Sequence, residues 1–242
     1  MVKHNLLDIE GTTAPIAFVH QVLFPYAKKR MEEFLKGYQF SEVKLKEVQI
    51  EFEKDCSIRE EGFLSRFTKA ELKTKTKVLD FDSNLIPSYF EYLIEKDRKF
   101  GPLKEVQGKI WKEGYESGEI KSTVYSDVPG FLKNAQDLGI QNHVYSSGSV
   151  EAQILIYQYS ELGDLREYFT SYFDTAVGGK REKESYEKIA NQLGSAPNEI
   201  RFFTDIVEEA EAASSVGMEV VILNRPGNIP QKPHSFLIWD HF

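Results

Sequence analysis

The hydrophobic pattern divides the chain into three parts. A short apolar run from His4 to Ile9 predicts a buried strand, and it ends in the polar segment "DIEGTT", which favours a turn. From about Phe18 to Glu116 the apolar residues recur with helical spacing, whereas after Gly118 short apolar runs alternate with amphipathic stretches. The pattern therefore predicts a strand, a helical insert, and then a series of alternating strands and helices.

The helical insert carries few strand signals but several helix boundaries. Ser41 is a predicted helix start, and so is Pro87 or Ser88. Pro25 lacks a backbone N–H and should kink or divide the first helix. We expect this insert to form a helical cap over residues 17–118.

The alternation after Gly118 is typical of parallel strands covered by helices on both faces. It predicts an α/β fold with a doubly wound, mostly parallel, Rossmann-like sheet, in which ligands bind beyond the carboxyl ends of the strands. We assign residues 1–16 and 119–242 to this core. Three predicted strands end in polar clusters at Asp8, Ser146 and Asp205, so all three clusters should meet at one edge of the sheet.

The composition of the chain argues against nucleic acid and membranes as binding partners. The net charge of −8 and the isoelectric point near 5.3 disfavour nucleic acid binding, and the apolar runs are too short to cross a membrane. The single cysteine, Cys56, excludes an internal disulfide and is expected to be inert. We expect a cytoplasmic monomer, with a nuclear pool if the chain is eukaryotic, and the five scattered histidines receive no site role.

Each polar cluster has a structural explanation when it is taken alone. Asp8 and the threonines suit a turn, "YSSGS" and Asp205 suit helix N-caps, and Lys180 suits a solvated surface. Together they supply the groups that phosphoryl transfer through a carboxylate requires. That combination favours a functional interpretation over four separate structural ones.

The predicted chemistry assigns one role to each cluster. Asp8 can attack phosphorus, Ser146 or Ser147 can hold the phosphate oxygens, and Lys180 can neutralise them. Asp205 and Glu209 add negative charge, and carboxylates ~4 Å apart repel by roughly 4 kcal/mol at an effective dielectric constant of ~20. A cation is therefore needed, and oxygen ligands favour Mg²⁺.

Glu10 has a separate role available. It lies two residues after Asp8, so on an extended chain both side chains point the same way. Glu10 can protonate the leaving oxygen as a general acid and then activate water as a base.

Four motifs follow one another along the chain: "DIEGTT", "YSSGS", the loop lysine Lys180 and "FFTDIVEEA". In this order they resemble the motifs of haloacid dehalogenase-type phosphatases. More narrowly, "LLDIEGTTAPIAFVHQVLFPYA", "GKIWKEGYESGEIKS", "YSSGSVEAQ", "KESYEKIA" and "NRPGN" resemble the enolase-phosphatase (acireductone synthase) family of methionine salvage, whose Asp-x-Glu replaces the usual Asp-x-Asp. These segments span nearly the whole chain, although residues from about 37 to 83 contribute little. Ala14 and His20 differ from residues that the family often has, but neither change removes a motif group.

The resemblance implies a Mg²⁺-dependent hydrolase, with one ion per chain, that acts on 5-(methylsulfanyl)-2,3-dioxopentyl phosphate. It implies enolisation of the diketone followed by removal of the phosphate to give the acireductone. Asp8, Glu10 and Asp205 match the family's metal-binding residues, Glu10 through its carbonyl group. Ser146, Ser147 and Lys180 match its substrate-binding positions, and Asp8 matches the nucleophile.

Three points stay open at this stage. The base for enolisation is not identified by the sequence, and Glu10 is our hypothesis. A phosphatase of the same superfamily that acts on another small phosphate ester is the nearest alternative. A phospho-acceptor signalling domain also gathers acids, a hydroxyl group and a lysine at a sheet edge, but it needs neither the cap, expected to be a lid, nor Glu10 as an acid.

Overall fold

Within the part of the chain that the structure describes, six short runs form strands, and their five pairings are all parallel. The computed structural model describes residues 1–58, 62–67 and 83–242. The strands are β1 (His4–Leu7), β2 (Gln141–Tyr145), β3 (Phe169–Phe173), β4 (Ile200–Thr204), β5 (Glu219–Leu223) and β6 (Leu237–Trp239). Their order in the sheet is β3-β2-β1-β4-β5-β6, which is a doubly wound arrangement whose direction reverses beside β1. The predicted fold class is confirmed.

The α-helices connect these strands and build the insert. They are α1 (Ile16–Phe18), α2 (Phe24–Gly37), α3 (Glu42–Ser57), α4 (Ile86–Glu95), α5 (Gly101–Glu116), α6 (Val128–Asp137), α7 (Val150–Gln158), α8 (Lys183–Leu193) and α9 (Val207–Ser215). A π-helical turn, Val19–Leu23, joins α1 to α2. Short 3-10 turns cover Phe63–Arg66, Ser83–Leu85, Arg166–Tyr168 and Pro197–Glu199.

Most of the predicted boundaries lie where the sequence puts them. Ser41 caps α3 by accepting a hydrogen bond from the Lys44 amide at 3.4 Å. Pro25 is the second residue of α2, directly after the π-helical turn, so the first helical stretch is divided there as predicted. The start at Ser88 is wrong, because α4 begins at Ile86 and holds Pro87 in its first turn, where a missing N–H costs nothing.

The chain divides into two compact units, 1–23 with 111–242 and 24–110. In the first unit, Tyr186 and Ile189 of α8 are fully buried against Leu6, Tyr145 and Phe202 of the sheet. This contact holds the beginning of α8, and the loop before it, against the central strands. The predicted core and cap boundaries, at 16/17 and 118/119, stay a prediction.

The second unit has its own core. The rings of Phe52, Phe63 and Tyr89 lie 5.2 to 5.5 Å apart. Asp55 is buried beside them and accepts hydrogen bonds from the Tyr89 hydroxyl at 2.8 Å and from Arg98 at 3.3 Å, so its charge is paired. Burial raises the pKa of the neighbouring Cys56 thiol to about 11, which keeps it protonated at neutral pH. None of the helices described is long and apolar enough to cross a membrane.

Two histidines form a buried pair near the amino ends of β1 and β2. His4 Nδ1 and His143 Nε2 are 3.0 Å apart, and His4 Nε2 is 2.7 Å from the Ser195 hydroxyl. Burial, together with the charge of His4, lowers the pKa of His143 to about 4. Burial lowers the pKa of His4 as well, so both rings are neutral in the folded protein at pH 7.

We expect this pair to make the protein sensitive to mild acid. The unfolded chain takes up a proton on His143 near its ordinary pKa of about 6.5, whereas the folded chain does so only near pH 4, so stability falls as the pH falls through this window. The contribution of His143 is up to ~3 kcal/mol of unfolding free energy. Urea unfolding of His143→Gln at pH 7 and pH 5 should show a smaller pH dependence than the parent. The exposed His241→Gln is the control, and equal pH dependence in all three proteins would contradict the assignment.

Candidate active site

The strand register brings three of the predicted site residues to one edge of the sheet. Leu7 pairs with Val144 of β2 and with Phe203 of β4. Asp8, Ser146 and Asp205 therefore all lie just beyond the carboxyl ends of three adjacent parallel strands. β1 and β4 are also the strands between which the sheet order reverses, and this is where ligands bind in such folds.

The "DIEGTT" segment leaves the sheet in a tight turn, so β1 ends at Leu7 rather than at the predicted Ile9. The carbonyl oxygen of Ile9 accepts the amides of Thr12, Thr13 and Ala14 at 2.8 to 3.2 Å. The Thr13 hydroxyl lies 3.1 Å from the carbonyl oxygen of Asp8 and 2.8 Å from the hydroxyl of the fully buried Tyr157. These bonds fix the backbone that carries the Asp8 carboxylate.

Gly11 allows Asp205 to reach this turn. Its φ of +71° is a conformation that favours glycine, and a Cβ at this position would lie 2.3 Å from Asp205 Oδ2. Any other residue would displace the Asp205 carboxylate. The sequence motif thus provides both the acid and the space for the second acid.

Lys180 is the central cation of the site. Its Nζ lies 2.7 Å from Asp8 Oδ1 and 2.7 Å from Glu209 Oε2, and its side chain is 8% exposed. The structural explanation of Lys180 as a solvated surface lysine is therefore wrong. Hydrogen bonds from the hydroxyls of Tyr145 to Gly178 O, at 2.9 Å, and of Tyr186 to Lys180 O, at 2.6 Å, fix its loop.

Glu209 has a more specific position than sequence reasoning gave it. The motifs alone predict only additional negative charge from Glu209, but its side chain is buried and is the second partner of Lys180. The Thr204 hydroxyl donates to it at 2.8 Å and also accepts the Ile206 amide at 3.2 Å. The available signal was its spacing: Glu209 lies four residues after Asp205, in the first turn of α9.

The N-caps of the helices near the site show which of the predicted polar residues have a structural role. Ser149 caps α7 by accepting the Ala152 amide at 3.3 Å, so one serine of "YSSGS" is structural. Ser146 is buried, and its hydroxyl accepts a hydrogen bond from the Gly148 amide at 3.3 Å. Ser147, between these two residues in the chain, is half-buried. The alternative of Asp205 as a cap is wrong, since Ile206 occupies the N-cap of α9 and no side chain caps it.

The acids of the site affect each other. Burial raises the pKa of Asp8 well above its ordinary value, and Glu209 and Asp205 raise it further while Lys180 opposes them. Burial and repulsion by Glu209 and Glu10 raise the pKa of Asp205 to about 7, again against the attraction of Lys180. Burial opposes the charge of Lys180, but Asp8 and Glu209 outweigh it and raise its pKa.

This environment fits a divalent cation. Asp8 and Glu209 contact one buried ammonium group, and the buried Asp205 also interacts with it electrostatically, so three carboxylates share one positive charge. Oxygen donors of this kind suit Mg²⁺. Across 1–58, 62–67 and 83–242 no three acidic, histidine or cysteine side chains converge as a ready metal site, so a cation here also needs backbone or water oxygens. The predicted use of the Glu10 carbonyl is of that kind.

Comparisons with known proteins agree with the fold and the motifs. A profile of haloacid dehalogenase-like hydrolases matches residues 2–217. The chain is 68% identical to "Enolase-phosphatase E1" of Leptospira biflexa over 245 residues, covering 100% of this chain and 99% of the relative. It is 44% identical to the protein of the same name from Drosophila persimilis, over 99% of this chain and 93% of the relative.

A solved structure also resembles the whole chain. The UTR4 protein of Saccharomyces cerevisiae is 31% identical and superposes with a TM-score of 0.72, covering 100% of this chain and 99% of that chain. The match therefore includes the residues of the insert as well as those of the sheet. The chain belongs to the haloacid dehalogenase-like hydrolases and, within them, to the enolase-phosphatase E1 family.

Proposed function

We propose that this chain is a Mg²⁺-dependent enolase-phosphatase that converts 5-(methylsulfanyl)-2,3-dioxopentyl phosphate to the acireductone and phosphate in methionine salvage. The main support is the buried Asp8 carboxylate, which pairs with Lys180 at the point where the strand order of the sheet reverses. The chain also matches nearly the full length of a relative named enolase-phosphatase. A small phosphate ester is the partner, and we infer one Mg²⁺ per chain, a cytoplasmic location and a monomeric state.

Asp8 is the proposed nucleophile. Its Oδ1 accepts the Ile9 amide at 2.7 Å and contacts Lys180, which leaves Oδ2 to attack. Attack on phosphorus forms an aspartyl phosphate and breaks the bond between phosphorus and the substrate oxygen. Water then attacks the same phosphorus, the bond to Asp8 breaks, and inorganic phosphate leaves.

Asp8, Asp205 and the carbonyl group of Glu10 would hold the cation. When bound, Mg²⁺ supplies positive charge that neutralises phosphate oxygens and polarises a substrate carbonyl. We expect Ser146, Ser147 and the first amides of α7 to bind the phosphate oxygens, because a helix N-terminus presents free N–H groups. Lys180 contributes a fixed positive charge to the same oxygens.

Glu10 is proposed to move the protons. It donates a proton to the leaving oxygen and removes one from the attacking water, and it is our candidate for removing the proton next to the substrate carbonyl. Glu10 is half-buried in the turn and acts electrostatically on Asp205, so it lies at the edge of the acid cluster.

The direct test follows both products from the diketone phosphate, with and without Mg²⁺. Release of phosphate together with an ultraviolet-absorbing enediol is expected only with Mg²⁺ present. Phosphate release from a simple aryl phosphate, measured under the same conditions, is the comparison. Hydrolysis without the enediol signal would favour a phosphatase for another ester, and a stable phosphoprotein without turnover would favour a signalling domain.

Glu10→Gln tests the proton-transfer role separately. We expect turnover to fall by about 10²- to 10⁴-fold, because an amide cannot exchange the proton, whereas Mg²⁺ binding is retained because the backbone carbonyl is unchanged. Steady-state kinetics and calorimetric titration with Mg²⁺ measure the two effects. Unchanged turnover would refute the role, and the exposed Glu119→Gln is a control for the loss of one acid.

A further inference from the structure

The loop after β5 holds the turn after β1 through two side chains. Arg225 Nε donates to the carbonyl oxygen of Thr12 at 3.2 Å, and Asn228 Nδ2 donates to that of Gly11 at 2.9 Å. Both residues belong to the segment "NRPGN", which has no role in the mechanism described so far. The loop therefore supports the backbone directly beside Asp8 and Glu10.

The hydrogen bonds of Asn228 fix the orientation of its amide group. Nδ2 also donates to the carbonyl oxygen of Leu223 at 3.2 Å. Both partners are carbonyl oxygens, which only accept, so the nitrogen must face them and Oδ1 must face the other way. That oxygen is buried and has no hydrogen-bond partner within the described ranges. A buried acceptor without a donor is uncommon and calls for a ligand or water.

The unpartnered oxygen lies beside the acid cluster. A Cβ on Gly11 would be 2.9 Å from Asn228 Oδ1 and 2.3 Å from Asp205 Oδ2, so both oxygens flank the same point. No hydrogen bond joins the two oxygens, because Asn228 Oδ1 has no partner among the residues that the structure describes, and once Asp205 is ionised beside a cation both oxygens can only accept. A hydrated cation next to Asp205 satisfies both, because its water ligands donate hydrogen bonds and its charge pairs with the acid.

We infer that Asn228 is a positioning residue of the cation site. Its Oδ1 takes part in binding the hydrated divalent cation, while its Nδ2 holds the carbonyl oxygen of Gly11 next to Glu10. This inference rests on the proposed function and adds one residue to the site. Supporting residues around a metal site commonly change metal affinity by about 10- to 100-fold when they are altered.

The test measures Mg²⁺ binding to the full chain by calorimetry in the absence of substrate. Asn228→Leu removes both polar atoms, and we expect Mg²⁺ to bind about 10-fold more weakly. Asn228→Asp keeps an oxygen towards the site and adds charge, so we expect affinity equal to or above that of the parent. Asn224→Leu is the matched control, since this exposed asparagine of the same loop bonds to Asp240 at 3.0 Å and its replacement should leave affinity unchanged.

Each result decides between the alternatives. Equal affinity in Asn228→Leu and the parent would overturn the inference, even if the variant unfolds at a lower temperature, because Asn228 would then only support the loop. If Asn228→Leu does not fold, Asn228→Asp decides, since a loss of affinity there would show that the Nδ2 contacts alone matter. A parent protein that binds no Mg²⁺ would instead overturn the proposed cation site itself.

Discussion

Asp8→Asn is expected to lower the rate of phosphate release by at least about 10⁴-fold, the scale seen when a covalent nucleophile is removed. An amide oxygen can still accept the Ile9 amide and the Lys180 ammonium, so the turn after β1 should keep its structure. What is lost is the carboxylate oxygen that attacks phosphorus. Phosphate release from the diketone phosphate measures the effect.

The same variant separates the two chemical steps. Exchange of the substrate proton in D₂O reports enolisation without dephosphorylation. The asparagine oxygen can still serve the cation but cannot attack phosphorus, so exchange should continue in Asp8→Asn while phosphate release is lost. Equal loss of both would leave separate roles for Asp8 and the enolising base unsupported. Asp137→Asn, an exposed acid that pairs with Lys133 at 2.6 Å, is the matched control and should behave like the parent.

Lys180→Met is expected to lower both activity and stability. The lysine is the shared buried partner of Asp8 and Glu209, so its removal leaves two carboxylates without their counter-charge. Breaking a buried pair in this way costs about 3 to 5 kcal/mol of unfolding free energy. Loss of a fixed charge that stabilises phosphate oxygens should lower kcat by about 10²- to 10³-fold.

A second substitution distinguishes the structural effect from the catalytic one. In Lys180→Met with Glu209→Gln, the number of buried negative charges falls, so part of the lost stability should return. Turnover should not return, because the positive charge near the phosphate is still absent. Chemical unfolding and steady-state kinetics of the single and double variants measure both. Recovery of turnover in the double variant would contradict a catalytic role for Lys180, and the exposed Lys133→Met is the control.

Much of the candidate site could be predicted from strand ends. Asp8, Ser146 and Asp205 each follow an apolar run, and parallel strands necessarily bring their carboxyl ends to the same edge. The prediction required no knowledge of contacts, because alternation of strands and helices fixes the direction of every strand. The insert can also be predicted without contacts, because apolar residues recur with helical spacing within it and change to short alternating runs after Gly118.

Other features could not be predicted, because they depend on distances between distant segments. The local sequence around Lys180 predicts a solvent-exposed lysine, since nothing in it shows that two carboxylates will contact its ammonium group. The sequence likewise predicts negative charge at Glu209 but not its ion pair with Lys180. Nothing in the sequence predicts a role for Asn228 beyond its place in the segment "NRPGN". Its role depends on the orientation of its side-chain amide, which is fixed by hydrogen bonds to the carbonyl oxygens of Gly11 and Leu223.

The amino-acid sequence by itself determined the parallel sheet, the helical insert and the set of acids, hydroxyls and lysine that phosphoryl transfer needs. Periodicity and residue chemistry are local properties, so they can be read without coordinates. Only the tertiary structure decided which of these groups touch: Lys180 between Asp8 and Glu209, and Asp205 against Gly11. Burial and pairing depend on the packing of segments far apart in the chain, and that packing sets the charge state of the site.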